Sequence, residues 1–135
     1  MANALYDKGR EGFLTGAINW TSDNIKAVMV DTGAYTADLA NHEDLADIPS
    51  GARISTSGNL SSKTATAGVA DAADVTFSTV TGATVEALVL YKDTGTASTS
   101  RLIAYIDTAT GLPITPNGGD INIAWPNGSS KIFKL

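Results

Sequence analysis

The run Ile25-Lys26-Ala27-Val28-Met29-Val30, closed by Asp31-Thr32-Gly33, decides the fold class. It is apolar at nearly every position, the pattern of a strand covered on both faces. Asp31 can accept a backbone hydrogen bond from two residues on, and Gly33 can supply a positive φ, so the strand ends in a turn. Such a strand belongs in the middle of a sheet, and the rest of the chain must supply its neighbours.

Downstream, strict alternation takes over. Val75 and Phe77 alternate with Asp74, Thr76 and Ser78; Val85, Ala87, Val89 and Tyr91 with Glu86, Leu88, Leu90 and Lys92; Leu102, Ala104 and Ile106 with Arg101, Ile103, Tyr105 and Asp107. Each reads as a strand with an inner and an outer face. Ile121, Ile123 and Trp125 form a further set, and Phe133 with Leu135 a last one. Turn devices divide them: Asp93-Thr94-Gly95, the stretch from Asp107 to Gly111, and the pair Pro116-Asn117-Gly118 and Pro126-Asn127-Gly128. With turns about every ten residues there is no room for crossover helices, so the expected architecture is mainly β, an antiparallel β-sandwich or barrel. The Ser/Thr-rich stretch from Ala52 to Val69 suits an exposed edge hairpin or an extended arm.

Upstream, the period changes. Ala2, Leu5, Tyr6, Gly9 and Phe13 share one stripe of a 3.6-residue repeat, with Asp7, Lys8 and Glu11 opposite. Asn3 is the expected N-cap of this N-terminal α-helix and Gly16 its end. Gly9 and Gly12 lower helix propensity by about 1 kcal/mol each, so the helix must lean on its own sheet or on a neighbouring molecule. Leu5, Tyr6, Arg10 and Phe13, with Trp20 beside a turn, are the candidate interface residues. Between Asp38 and Ile48, Asn41 precedes an acidic turn and Pro49 follows, which reads as one short helix in a loop or a long ordered loop. The expected organisation is one domain over 1–135, with 1–20 as helix or arm and 21–135 as β core.

The chain has 135 residues, 43% hydrophobic and 17% charged, with net charge −5 and no cysteine. A chain of this length closes a core without metal or disulfide, and thiolate metal sites and cysteine nucleophiles lack their atom. The acidic balance argues against nucleic acid, whose phosphates are met by Lys and Arg. No apolar run reaches the eighteen or so residues of a membrane helix. Asp7, Lys8, Arg10 and Glu11 interrupt the place a signal peptide would occupy, so a cytoplasm-like compartment is expected.

Candidates for chemistry are few. His42, the single histidine, stands beside Glu43 and Asp44, but no serine occupies a Gly-x-Ser-x-Gly elbow. Asp31, Asp93 and Asp107 could converge as paired carboxylates, yet each sits in a turn that already employs its side chain. With Asp71, Asp74 and Asp120 they could bind calcium, although EF-hand spacing is absent. Gly118-Gly119 leads into a strand, not into the helix a phosphate loop needs. Trp125 and Tyr91 share strand faces with aliphatic residues, which points to core packing. No catalytic residue, metal ligand or cofactor is assigned, and the chain is not read as an enzyme.

Three strings carry a resemblance: Ala4-Leu5-Tyr6-Asp7-Lys8-Gly9-Arg10-Glu11-Gly12-Phe13-Leu14, then Ile25 through Tyr35, and Thr115-Pro116-Asn117-Gly118-Gly119-Asp120-Ile121. Over nearly its whole length the chain resembles a family of small structural proteins of tailed bacteriophages. The resemblance implies a virion component assembled in the host cytoplasm, with the major capsid protein or other virion proteins as partners. It also implies a homo-oligomer, a trimer being favoured, and no membrane or nucleic acid. Capsid decoration, cementing the head shell through subunit contacts, is the first expectation; a tail, fibre or baseplate-associated structural or host-binding protein is the alternative. The segment before Trp20 and the 52–69 stretch are the two regions able to reach a neighbour.

Overall fold

A computed structural model describes residues 3–109, 111–125, 129 and 131–135. In chain order its elements are β1 (Ala4–Leu5), α1 (Asp7–Thr15), β2 (Ile25–Val30), β3 (Arg53–Thr56), β4 (Val69–Ala70), β5 (Val75–Phe77), β6 (Ala87–Lys92), β7 (Leu102–Ile106), β8 (Ile121–Ile123) and β9 (Phe133–Lys134), with short 3-10 turns between. The fold is mainly β, as expected. Five strands make one antiparallel sheet, ordered β1-β7-β6-β2-β3, and two further ladders pair β4 with β9 and β5 with β8. The sheet ends at β1 and β3 and does not close into a barrel.

The unbroken apolar run of β2 lies between β3 and β6 and feeds two cores. Ile25, Ala27 and Met29 join Leu88, Leu90 and Ile106 on one face; Val28 and Val30 join Ala87, Val89 and Tyr105 on the other. The first face is covered by the ladders through Phe77, Ile121 and Ile123, the second by the connection from β2 to β3 through Tyr35, Leu45, Ile48 and Ala52. Both faces of β6 and β7 are therefore buried, which corrects the expected division into inner and outer faces. At about 1.5–3 kcal/mol for each large apolar side chain, this two-sided burial is the main term holding the sheet.

The N-terminus departs from its expected form. Asn3 does not cap a helix; its Oδ1 accepts the N–H groups of Asp107 and Thr108 (2.8 and 2.9 Å), clamping β1 onto the end of β7. Helix α1 begins only at Asp7, after Ala4 and Leu5 have paired with Tyr105 and Ala104. The β6–β7 register slips by one residue beside Leu90, leaving Ile103 as a bulge whose carbonyl accepts the Tyr6 N–H (2.9 Å). Gly16 ends the helix with φ 78°, as expected. At Gly9 a β-carbon would stand 2.8 Å from the carbonyl oxygens of Leu102 and Ile103, so the helix rests directly on the backbone of β7. It leans on its own sheet, over the part of β7 that the short β1 leaves unpaired.

Two connections carry their own local structure. Between Asp38 and Ile48 the expected short helix in a loop is a single 3-10 turn, Leu45–Asp47, pinned where Asp47 Oδ2 accepts the Glu43 and Asp44 N–H groups (2.7 and 3.1 Å). Within 52–69 the edge strand β3 pairs with β2 instead of forming a hairpin, and buried Ser57 accepts the Ala27 N–H (2.9 Å) while donating to the Gly58 carbonyl. Two of the aspartate turns form as expected, Gly33 bonding Asp31 (2.8 Å) and Gly95 bonding Asp93 (3.1 Å), and in the turn after Pro116 Gly119 bonds Asn117 (3.0 Å). Gly33 does so without a positive φ. Ala2, Thr110 and the turn Pro126-Asn127-Gly128 lie outside the described residues.

Candidate functional site

Where the last turn of α1 meets β9, three aromatic rings form a base. Phe133 lies 5.9 Å from Phe13 and 5.2 Å, edge-on, from Trp20. The Trp20 indole N–H donates to the Asp71 carbonyl (3.2 Å), which fixes the ring. Over this base stand the exposed large apolar side chains of the described residues, Leu14 at 87% and Leu135 at 61% exposure. Leu14 points outward because α1 spends its inward face on Gly9, which lets it approach the backbone of β7, and Gly12, which lies against the Ile18 side chain. A groove of about 480 Å³ runs between Leu5, Arg10, Phe13, Leu14 and Leu135. A second, about 300 Å³, continues past Ile18, Trp20 and Phe133. Two large apolar side chains held outward together over a rigid aromatic base form a candidate contact surface.

Of the five residues expected at an interface, four converge here. Leu5 and Arg10 line the first groove, and Phe13 lines both. Arg10 is held in place by Asp7 (2.8 Å). Trp20 supports the corner from below at 5% exposure, so it is core and not the surface contact its turn suggested. Tyr6 is excluded altogether: extended between β1 and α1, it points to the core opposite that of Leu5 and is fully buried. Leu14, Phe133 and Leu135 went unselected. The signal for Leu14 was its apolar side chain outside the stripe of an otherwise amphipathic helix.

The groups with chemical potential elsewhere are tied into the scaffold. Tyr6 and Tyr35 hydroxyls lie 2.8 Å apart, and Tyr35 reaches His42 Nδ1 at 2.9 Å. Asp38 N–H also donates to Nδ1 (3.2 Å), so that nitrogen is an acceptor; Tyr35 donates to it, and the Tyr35 oxygen accepts a hydrogen bond from the Tyr6 hydroxyl. Burial pushes the Tyr35 phenol up to about 12. Burial, reinforced by the bond to Tyr35, pushes Tyr6 far above its usual range. Both phenols stay protonated, and the chain of three fastens the β2–β3 connection to the sheet.

The carboxylates are likewise dispersed. Val30 pairs with Ala87 and Ile106 with Leu88, whereas Ile25 pairs with Lys92, so Asp31 and Asp107 lie at one end of the sheet and Asp93 at the other. The convergence entertained for them does not occur. Asp93 pairs with Lys26 (3.1 Å) and Asp71 with Lys131 (3.3 Å). Asp74 accepts the Trp125 N–H and Asp120 the Thr79 N–H. Among the described residues no three His, Asp or Glu side chains gather as a metal site, and no helix is long and apolar enough to cross a membrane. Trp125 is core, its indole bonded to the Ala73 carbonyl (3.0 Å). No protein-family model matches the chain, and no curated protein matches it.

Proposed function

We propose that this chain is a structural protein of a bacteriophage virion, a capsid decoration protein that seats the Leu14–Leu135 corner on the head shell. The observation that carries this reading is the pair of exposed leucines on an aromatic base, held by a helix that is itself anchored to the sheet backbone. A cementing protein needs a preformed apolar surface and no moving part, because each ordered group it already holds removes an entropy cost from docking. The resemblance of the N-terminal string supports the same assignment, since that string supplies Leu5, Arg10, Phe13 and Leu14. Repetition around shell symmetry axes multiplies a modest contact, which favours a cyclic oligomer such as a trimer.

Adding the purified chain to head particles stripped of it tests the proposal. Wild type is expected to rebind at a copy number comparable with the coat protein. Leu14→Asp is expected to lose binding about tenfold or more, since burying one leucine contributes about 1.5–3 kcal/mol and an unpaired carboxylate opposes burial. Undiminished binding of Leu14→Asp, or a few copies confined to one vertex as in a tail or baseplate part, would overturn it.

A further inference from the structure

Beside the docking corner, a slot of about 440 Å³ opens between two strand edges, β1 on one wall and β9 on the other. Antiparallel pairing directs successive residues alternately toward and away from the partner strand. Tyr6 N–H bonds Ile103 and Leu135 N–H bonds Gly68 (3.1 Å), so the neighbouring residues, Leu5 and Lys134, turn their N–H and C=O groups away from β7 and β4. Both line the slot, and neither has a backbone partner on that side among the described residues. Strand-edge groups are best satisfied by another strand. Leu5, Ala104, Ile106 and Phe133 give the slot an apolar lining.

Its charge is the reverse of the chain's. Fourteen Asp and Glu outnumber nine Lys and Arg overall, yet Arg10, Lys131 and Lys134 all line this slot. Arg10 and Lys131 are partly offset by Asp7 and Asp71, while Lys134 has no ion pair among the described residues. A second copy is a poor occupant. Pairing β9 with itself would oppose Lys134 to Lys134; the far edge of the five-stranded sheet, within 50–70, has Arg53 and Lys63 but no acid; and the acids flanking the β5–β8 ladder, Asp74 and Asp120, already accept the Trp125 and Thr79 N–H groups.

We propose that the slot binds an extended segment of a different protein by strand addition, and that this segment alternates apolar residues with carboxylates. The inference goes beyond the head assignment, because it names the chemistry of a partner segment whichever particle supplies it.

The test uses the isotope-labelled full chain, followed by amide NMR, and no particle, so its outcome is independent of the head assignment. The probe is a short peptide alternating valine and aspartate. Saturable shifts are expected at Leu5 and Lys134. The same peptide interrupted by proline should give none, since it lacks the donor and the extended geometry. Lys134→Glu should weaken the aspartate peptide about fivefold and strengthen its lysine counterpart, as expected for one partly exposed ion pair. The amide spectrum of the variant reports directly that it is folded. Absence of shifts at these two amides, equal binding of the lysine or proline peptide to wild type, or a concentration-dependent dimer that occupies the slot would each overturn the proposal.

Discussion

Replacing Gly9 with alanine should displace α1 and with it the docking corner. The added methyl would meet the carbonyl oxygens of Leu102 and Ile103 at 2.8 Å and the Ile103 α-carbon at 2.9 Å, all backbone atoms that no rotamer change can move aside. Carbon–oxygen contacts settle at about 3.3–3.6 Å, so the helix must retreat by roughly half an ångström or more. Overpacking against three backbone atoms lies in the upper part of the usual range, about 2–3 kcal/mol. Against it stands the better helix propensity of alanine, about 1 kcal/mol. The net expectation is a loss of about 1–2 kcal/mol, or roughly 4–8 °C in Tm for a chain of this size. Gly12→Ala is the internal control. There the methyl meets side-chain atoms, Ile18 Cδ1 at 2.5 Å and Cγ1 at 2.8 Å, which can shift where backbone cannot, so the loss should be smaller than at Gly9. Urea denaturation followed by circular dichroism measures both. Gly9→Ala as stable as wild type, or more stable by the full propensity gain, would refute the direct seating of α1 on β7.

Three further substitutions probe the scaffold that holds the corner. Tyr35→Phe leaves the buried Tyr6 hydroxyl without its partner and should cost about 1–3 kcal/mol, whereas Tyr6→Phe, which spares the Tyr35–His42 bond, should cost less; chemical denaturation of the two variants and of the double variant separates the terms. Asn3→Ala removes the acceptor for the Asp107 and Thr108 N–H groups and should cost about 1 kcal/mol, with faster amide exchange confined to β1 and the end of β7. Asp47 is held below the usual aspartate range by the Glu43 and then the Asp44 N–H groups. A depressed folded pKa gives stability that is complete above the unfolded value, about 3.9, and is lost as the pH falls through the folded one. Asp47→Ala should therefore cost about 1 kcal/mol at neutral pH, with the gap to wild type closing under acid in a pH series of denaturation curves.

The strands were legible wherever burial follows a period. The run Ile25 to Val30 announced a two-sided central strand, and β5 through β8 fall within their alternating sets. The second core was not legible, because Tyr35, Leu45, Ile48 and Ala52 cover it from an irregular connection whose apolar residues have no repeat. Asn3 was read as a local cap, but its partners are more than a hundred residues away, and pairing of β1 with β7 overrides the helical preference of Ala4 and Leu5. The same competition moved Tyr6 out of the candidate site, since adjacent strand residues face opposite ways and adjacent helix residues do not. Gly9 and Gly12 appeared in the sequence only as a loss of helix propensity. The structure gives the reason at Gly9, where a β-carbon would stand 2.8 Å from two backbone carbonyl oxygens.

The most direct measurement is an image reconstruction of the virion carrying this protein. Density on the head in copies comparable with the coat protein, with Leu14 and Leu135 buried against a shell subunit, is the predicted result. Density at a single vertex, or a bound chain whose two leucines face solvent, would contradict a cementing role for this corner.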